Sequence, residues 1–125
     1  MKEHDVRALA ERWVKEGVAA GRLEVFDELA APPADLEGFR ARTRAIHAAF
    51  ADLEGAVIDL LVQGDRAAWR WRLEATHRAP FLGHPATGRR VTLEGVNFQR
   101  LAAGRVVDHW TLADTSGLLQ QLQRG

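Results

Sequence analysis

The chain has 125 residues, 46% of them hydrophobic and 27% charged, a composition typical of one globular domain. Its 17 basic and 17 acidic residues cancel, so no overall charge favours nucleic acid or an anionic membrane as partner. The lack of cysteine excludes disulfides, thiolate catalysis and cysteine-ligated metal sites. Because the sequence shows neither a long uncharged run nor a signal-like first segment, we expect no membrane association and a cytoplasmic location.

Three helices are predicted in the first half of the chain. The first ends around Gly17 to Gly21, and its buried stripe has three- and four-residue spacing (Val6, Leu9, Ala10, Trp13, Val14 and Gly17). A second short helix is predicted over residues 22–30, where the following prolines stop it. Asp35 is then expected to cap a third helix with one apolar side (Leu36, Phe39, Thr43, Ile46, His47 and Phe50). The arginines at 40, 42 and 44 on this helix are interpreted as a solvated face.

After Gly55 the periodicity changes from helical to two, which indicates strands. Four are predicted, separated by turn signals: residues 56–62, 66–77, 90–101 and 105–113. In the second strand Trp69, Trp71, Leu73, Ala75 and His77 share one face, so we expect an antiparallel sheet with one side packed against the helices. A last short helix, "TSGLLQQL", follows Asp114. The sequence therefore predicts one α+β domain over residues 1–125.

The second half of the sequence resembles a known family. The stretch "THRAPFLGHPATGRRVTLEGVNFQRLAAGRVVDHWTLADTSGLLQQL" (76–122) is similar to SnoaL-like polyketide cyclases and ester cyclases, of the nuclear transport factor two-like superfamily. The matching positions include Thr76-His77, Phe81-x-Gly83-x-Pro85, Gly104-Arg105-Val106-Val107, His109-Trp110 and Asp114-x-x-Gly117-Leu118-Leu119. The resemblance implies a cone-shaped, curved sheet closed by N-terminal helices around an apolar pocket, often dimerising through the sheet.

The resemblance also implies a reaction and its base. Enzymes of this family close a ring in a polyketide ester by intramolecular aldol condensation without metal or cofactor, and an aspartate matching Asp114 is their general acid/base. Other members of the superfamily isomerise or hydrolyse small molecules, or only bind a ligand. This chain departs from the family pattern between its second and third helices, where only "AAPPADLEG" is available for a usually longer segment.

Two interpretations of Asp114 remain open from the residues alone. If the last strand is regular to its end, Asp114 shares a face with Trp110 and Leu112, and an apolar pocket would give a carboxylate the raised pKa that a general base needs. Alternatively, Asp114 is the N-cap of the final helix, where backbone N–H groups would lower its pKa.

The histidines are the other candidates for chemistry. His77 either donates to a substrate carbonyl or fills the core beside Trp69 and Trp71, and His109 is either a catalytic partner or a surface or dimer-facing residue. His47 either lines the pocket or is a hydrogen-bonded core histidine. No histidine spacing typical of a metal site is present, so neither a metal nor another cofactor is predicted.

The sequence thus predicts a cofactor-free cyclase or isomerase acting on a small, apolar carbonyl compound. Its predicted catalytic residues are Asp114, His77 and His109, and its predicted pocket walls are Trp71, Trp110, Val96, Phe98 and His47. The alternative is a ligand-binding or dimerisation domain of the same fold. The predicted partners are a small hydrophobic molecule and a second copy of the chain.

Overall fold

The structure, a computed structural model, describes residues 2–124. The helical half contains α1 (Glu3–Arg12), continued by a π-helical segment (Trp13–Ala19), then α2 (Val25–Leu29) and α3 (Glu37–Ala49). The second half contains β1 (Phe50–Gln63), β2 (Arg66–His77), β3 (Arg90–Ala102), β4 (Arg105–Ala113) and α4 (Thr115–Gln123). Within the described range, no helix combines the length and apolar character needed to cross a membrane.

The four strands form one antiparallel sheet in the order β1-β2-β3-β4. Sequence neighbours pair because each connection is short enough to return the chain beside the strand it has just left. The sheet is curved and open, and the helices cover one of its faces. The predicted α+β class is therefore confirmed.

The boundaries of α3 and β1 differ from the prediction. The Asp35 carboxylate accepts the N–H of Glu37 at 3.1 Å, but Leu36 occupies the N-cap position, so α3 begins one residue later than an Asp35 cap implies. The helix then passes into β1 without a turn, because Phe50 already has extended backbone angles (φ −127°, ψ 149°). Phe50, predicted on the apolar side of a helix, is the first residue of a strand.

A β-bulge interrupts the start of β4. Arg100 pairs with Asp108 but the next residue, Leu101, pairs with Val106, so Val107 is an extra residue without its own partner. Val106 is completely buried, and regular alternation from it would turn Trp110 and Leu112 inward. The extra residue reverses this order, and His109, Thr111 and Ala113 face the helices instead.

The core lies between the helices and the inner face of the sheet. Its largest buried side chains are Trp13 and Phe26, whose ring centroids are 4.8 Å apart, and Trp69 of β2. Gly17 brings the π-helical segment close to α2, since a Cβ atom there would lie 2.5 Å from the Phe26 ring. A second apolar cluster joins Phe50 and α4 near the other end of the sheet. Between these two clusters the inner face is incompletely filled.

Candidate functional site

A cavity of about 280 Å³ lies between the helices and the inner face of the sheet. Helical residues from the first helix, α3 and α4 form one side, and β2, β3 and β4 form the other. The wall is mainly apolar and aromatic (Trp13, Val14, Val18, Phe39, Ala45, Ile46, Trp71, Leu73, Phe81, Leu82, Leu93, Ala113 and Leu118), with five polar members (Arg42, Thr43, Asn97, Thr111 and Thr115). This volume is near the lower end for small-molecule sites, so it suits a compound of one or two rings.

The polar part of the sheet wall comes from neighbouring strands. The Trp71 indole N–H donates to Asn97 Oδ1 at 3.0 Å, which fixes the orientation of the ring on the wall. Asn97 is paired across the sheet with Thr111, so their side chains are neighbours on the inner face. The Thr111 hydroxyl is buried and has no hydrogen-bond partner among residues 2–124. Since buried hydroxyls normally have a partner, Thr111 is available to a ligand.

Charge on the wall is limited to one side chain. Arg42 is the only ionisable group among the described residues that line the cavity, and neither aspartate nor glutamate is found there. The Thr43 hydroxyl is already used within α3, because it donates to the Phe39 carbonyl at 3.0 Å. The cavity can therefore offer hydrogen bonds and one positive charge to a ligand, but its lining contains no carboxylate.

His109 lies behind this wall rather than on the surface. Its ring packs against Trp13 (centroids 4.9 Å apart) and Phe39 (5.0 Å), both of which line the cavity. Burial, assisted by the positive charge of Arg42, lowers the pKa of His109 to about 4, so the imidazole is neutral near pH 7. The interpretation as a surface or dimer-facing residue is wrong, because the bulge at Val107 turns the side chain inward.

Among the described residues, only one of the two ring nitrogens of the neutral His109 has a hydrogen-bond partner. Its Nδ1 is 3.0 Å from the Gln99 amide nitrogen, which donates to it, so the ring proton lies on Nε2. That Nε2 is buried and unpaired within the part of the chain that the structure describes.

His77 is completely buried at the far end of β2. Its Nδ1 accepts the Thr87 backbone N–H at 3.2 Å, and its ring packs against Phe50 at 5.2 Å. It is not among the residues that line the 280 Å³ cavity. Its contacts tie the loop before β3 to the core.

Asp114 is exposed and caps α4. Its Oδ1 accepts the N–H of Gly117 at 2.9 Å, and its own N–H donates to the Glu94 carbonyl at 2.7 Å. The apolar surroundings considered for this carboxylate are not what the structure shows. Of the two interpretations, the geometry is that of the helix cap.

Three of the predicted pocket walls lie on the other face of the sheet. Trp110, Phe98 and Val96 are 55%, 45% and 37% exposed, and none of them contacts the cavity. For Trp110 the physical reason is again the bulge in β4. Val96 and Phe98 lie on this face because β3 pairs with β2 in regular register, so they alternate with the buried Asn97 and Gln99. The expectation that they form the pocket is corrected by this placement, whereas Trp71 does lie on the wall.

His47 is half-buried and holds the helices together. Its Nε2 is 2.7 Å from the Val18 carbonyl oxygen, at the end of the π-helical segment. It is not part of the cavity lining.

Sequence reasoning missed the polar residues that do line the cavity: Arg42, Thr43, Asn97, Thr111 and Thr115. For Asn97 a signal existed, because regular alternation places it on the same face of the strand as Val91, Leu93 and Leu101. For Thr111 no such signal existed, since the bulge that turns it inward is not visible in the sequence.

The fold has counterparts among known proteins. The family model described as SnoaL-like polyketide cyclase matches residues 3–122. Two similar solved structures are TsrD from Streptomyces laurentii and IdmH from Streptomyces antibioticus. TsrD is 27% identical over 98% of each chain, with a TM-score of 0.85. IdmH is 30% identical over 96% of this chain and 99% of its own, with a TM-score of 0.82. Among curated protein sequences none is significantly similar.

An α+β fold with a small-molecule cavity between helices and a curved sheet defines the nuclear transport factor two-like class. Within that class, the chain belongs to the family of SnoaL-like polyketide cyclases, because the family model covers nearly all of its length. The resemblance noted in the sequence is confirmed.

Proposed function

We propose that the chain binds a small, largely apolar carbonyl compound in the inner cavity, with the carbonyl oxygen on Thr111 and Asn97. The observation that carries this proposal is the buried Thr111 hydroxyl without a partner within residues 2–124, in a mainly apolar cavity. Asn97 can assist, because Trp71 uses its Oδ1 and leaves the amide N–H groups free to donate. A carbonyl oxygen accepts from such donors, while the aromatic wall holds the apolar body.

A pair of probes with the same shape tests this proposal. We expect 2-acetylnaphthalene to bind more tightly than 2-ethylnaphthalene, measured by the change in tryptophan fluorescence, since Trp13 and Trp71 line the cavity. Thr111→Val removes the hydroxyl but keeps the volume, and should weaken ketone binding roughly 2- to 10-fold while leaving the hydrocarbon unaffected.

The matched control is Thr92→Val, on the outer face of β3, which should change neither affinity. Equal binding of the two probes to the wild-type chain, or no binding of either, would contradict the proposal.

A second candidate function is cofactor-free enolisation or intramolecular aldol cyclisation of the bound compound. Family membership and the two donors favour it, because hydrogen bonds to a carbonyl oxygen stabilise the enolate that forms when the adjacent carbon loses a proton. Of the three predicted catalytic side chains, His109 is the best placed, since its neutral ring packs on two residues of the cavity wall. With its proton on Nε2 the ring would act as a hydrogen-bond donor to the enolate oxygen, and the proton lost from carbon would pass to water. Asp114 caps a helix and His77 is held by Thr87.

Proton exchange tests this candidate without knowledge of the natural substrate. If the chain enolises bound ketones, the methyl protons of 2-acetylnaphthalene will exchange with D2O faster in its presence, as followed by NMR. His109→Gln should reduce the acceleration, because one donor is lost, and Asp114→Asn should preserve it. The reverse result would restore Asp114 as the base, and no acceleration at all would leave ligand binding as the function.

We further propose that two copies of the chain associate through the outer face of the sheet. Leu61, Ala68, Phe98 and Trp110 lie in register across all four strands and point away from the helices. Exposed aromatic and aliphatic side chains that are contiguous typically mark an interface. We call these four residues the outer row.

A further inference from the structure

Arg42 lies on the cavity wall and also reaches the solvent. It is exposed, it comes from the middle of α3, and it is the only charged side chain of the described residues on the cavity wall. Its guanidinium extends back toward the start of the helix, where Gly38 has no side chain. A Cβ atom on Gly38 would lie 4.0 Å from Arg42 Nη1.

The neighbouring arginines of α3 differ from Arg42 in having acidic partners. Arg40 pairs with Asp27, and the Arg44 guanidinium is 3.9 Å from Glu37. Among residues 2–124 no aspartate or glutamate forms an ion pair with Arg42. A guanidinium presents several N–H donors in one plane, which match the two oxygens of a carboxylate. This capacity is unused by the protein itself.

The charge of Arg42 acts on the interior as well as on the surface. Burial is the main cause of the lowered pKa of His109, and the positive charge of Arg42 is the next. No acidic side chain of the described residues lines the cavity to oppose it. An anionic ligand would therefore meet attraction at Arg42 and no like charge on the wall, whereas a cation would meet repulsion.

We propose that the cavity selects an amphipathic carboxylic acid, whose apolar body fills the cavity and whose carboxylate binds Arg42. This inference rests on the proposed function, since it names the substrate class of the same site. Thr111 and Asn97 lie on β4 and β3, across the cavity from α3, so a carbonyl group held there is compatible with a carboxylate held at Arg42. The substrate class is then a small aromatic or alicyclic acid with a carbonyl group remote from its carboxylate.

An acid and its ester provide the test. We would measure binding of 2-naphthylacetic acid and of its methyl ester by titration calorimetry at pH 7, where the acid is ionised. The wild-type chain should bind the acid about tenfold more tightly than the ester, the size of one charge-assisted hydrogen bond at an exposed group. Raising the salt concentration should reduce this preference and leave the affinity for the ester unchanged.

Arg42→Gln should remove the preference by weakening the acid alone. Arg44→Gln is the matched control, because Arg44 is on the same helix but outside the cavity lining, and it should keep the preference. Arg42→Lys keeps the charge without the planar guanidinium and should retain part of the preference.

Equal affinity for acid and ester in the wild-type chain would overturn the inference while leaving the proposed function intact, and so would an equal loss of both in Arg42→Gln. Failure of both compounds to bind would overturn the proposed function together with this inference.

Discussion

At the level of single residues, Asp114 is a carboxylate with two candidate roles, that of a general acid/base and that of a helix N-cap. It lies at the end of a strand, directly before a helix, and the sequence allowed either role. In the structure it is exposed and accepts the N–H of Gly117, so its carboxylate is engaged at the start of α4. An N-cap needs a side-chain oxygen but no ionisable group.

Substitution of Asp114 separates the two roles. We expect Asp114→Ala to lower the free energy of unfolding by about 1 kcal/mol, because the amide of Gly117 loses its acceptor. Asp114→Asn keeps an acceptor oxygen and should cost only a few tenths of a kcal/mol. Urea unfolding of the three proteins measures both values. If Asn proved as costly as Ala, the negative charge rather than the cap would be what stabilises this end of the fold.

His109 should make the stability of the chain depend on pH. Its folded-state pKa of about 4 is below the unfolded value of 6.5, so between these two pH values the unfolded chain binds more protons than the folded chain. The contribution of His109 is complete above pH 6.5 and is lost as the pH falls toward 4, with a total of about 3 kcal/mol.

Unfolding of the wild-type chain and of His109→Gln should be compared at pH 4.5 and pH 7.5. Carboxylates titrate in both proteins, so the difference between the two isolates the histidine. We expect the wild-type chain to lose more stability on acidification than the variant. Identical losses would mean that His109 is not buried as a neutral ring.

At the level of elements, the strength of the sequence prediction varies from strand to strand. β2 is regular, and its alternation gave both its bounds and its inner face, with Trp69, Leu73 and His77 all buried. In β4 the bounds were also predicted, but the inner face was not. Its apolar residues, Trp110 and Leu112, are the exposed ones, and its inward residues include His109 and Thr111.

Hydrophobic alternation identifies an inner face only when that face is the more apolar one. In β4 the opposite holds, because the cavity requires polar side chains inside. On the outer face of the sheet, the proposed interface would cover the apolar side chains. The inward polar residues of β4 were therefore the part of the site that the sequence could not predict, whereas the fold, Trp71 and the cap at Asp114 could be predicted from it.

Gly95 of β3 and Trp71 of β2 are in such close contact that the position of the Trp71 ring on the cavity wall is fixed. Gly95 lies opposite Trp71, and a Cβ atom there would be 2.2 Å from the indole ring and 2.6 Å from the Leu112 carbonyl oxygen. We expect Gly95→Ala to displace the Trp71 ring, to lower the free energy of unfolding by about 1–3 kcal/mol and to weaken binding of 2-acetylnaphthalene.

Gly38→Ala is the control for this prediction, because a methyl group on that helical residue meets nothing closer than 4.0 Å. It should not destabilise the chain. A Gly95→Ala protein with wild-type stability and affinity would show that the Trp71 ring is free to move.

At the level of the whole molecule, the outer row predicts the oligomeric state. We expect the chain to be a dimer in sedimentation experiments and Trp110→Glu to shift it toward monomer, because a charge at a desolvated interface is costly. Leu82→Glu is the control: Leu82 is 64% exposed like Trp110, but it lies in a loop outside the sheet. A monomeric wild-type chain, or a dimer unaffected by Trp110→Glu, would contradict the proposed assembly.

The bulge at Val107 has a consequence for how this fold tolerates insertion and deletion. Antiparallel alternation turns every second residue of β4 toward the helices and the others toward the outer face of the sheet, and the extra residue at the bulge decides which residues point which way. Deleting Val107 would join Val106 directly to Asp108 and remove the bulge, so the pairing with β3 would continue unbroken and each side chain would keep its face, with Thr111 inside and Trp110 outside. A one-codon deletion at this position would therefore preserve the binding site and the contact surface together.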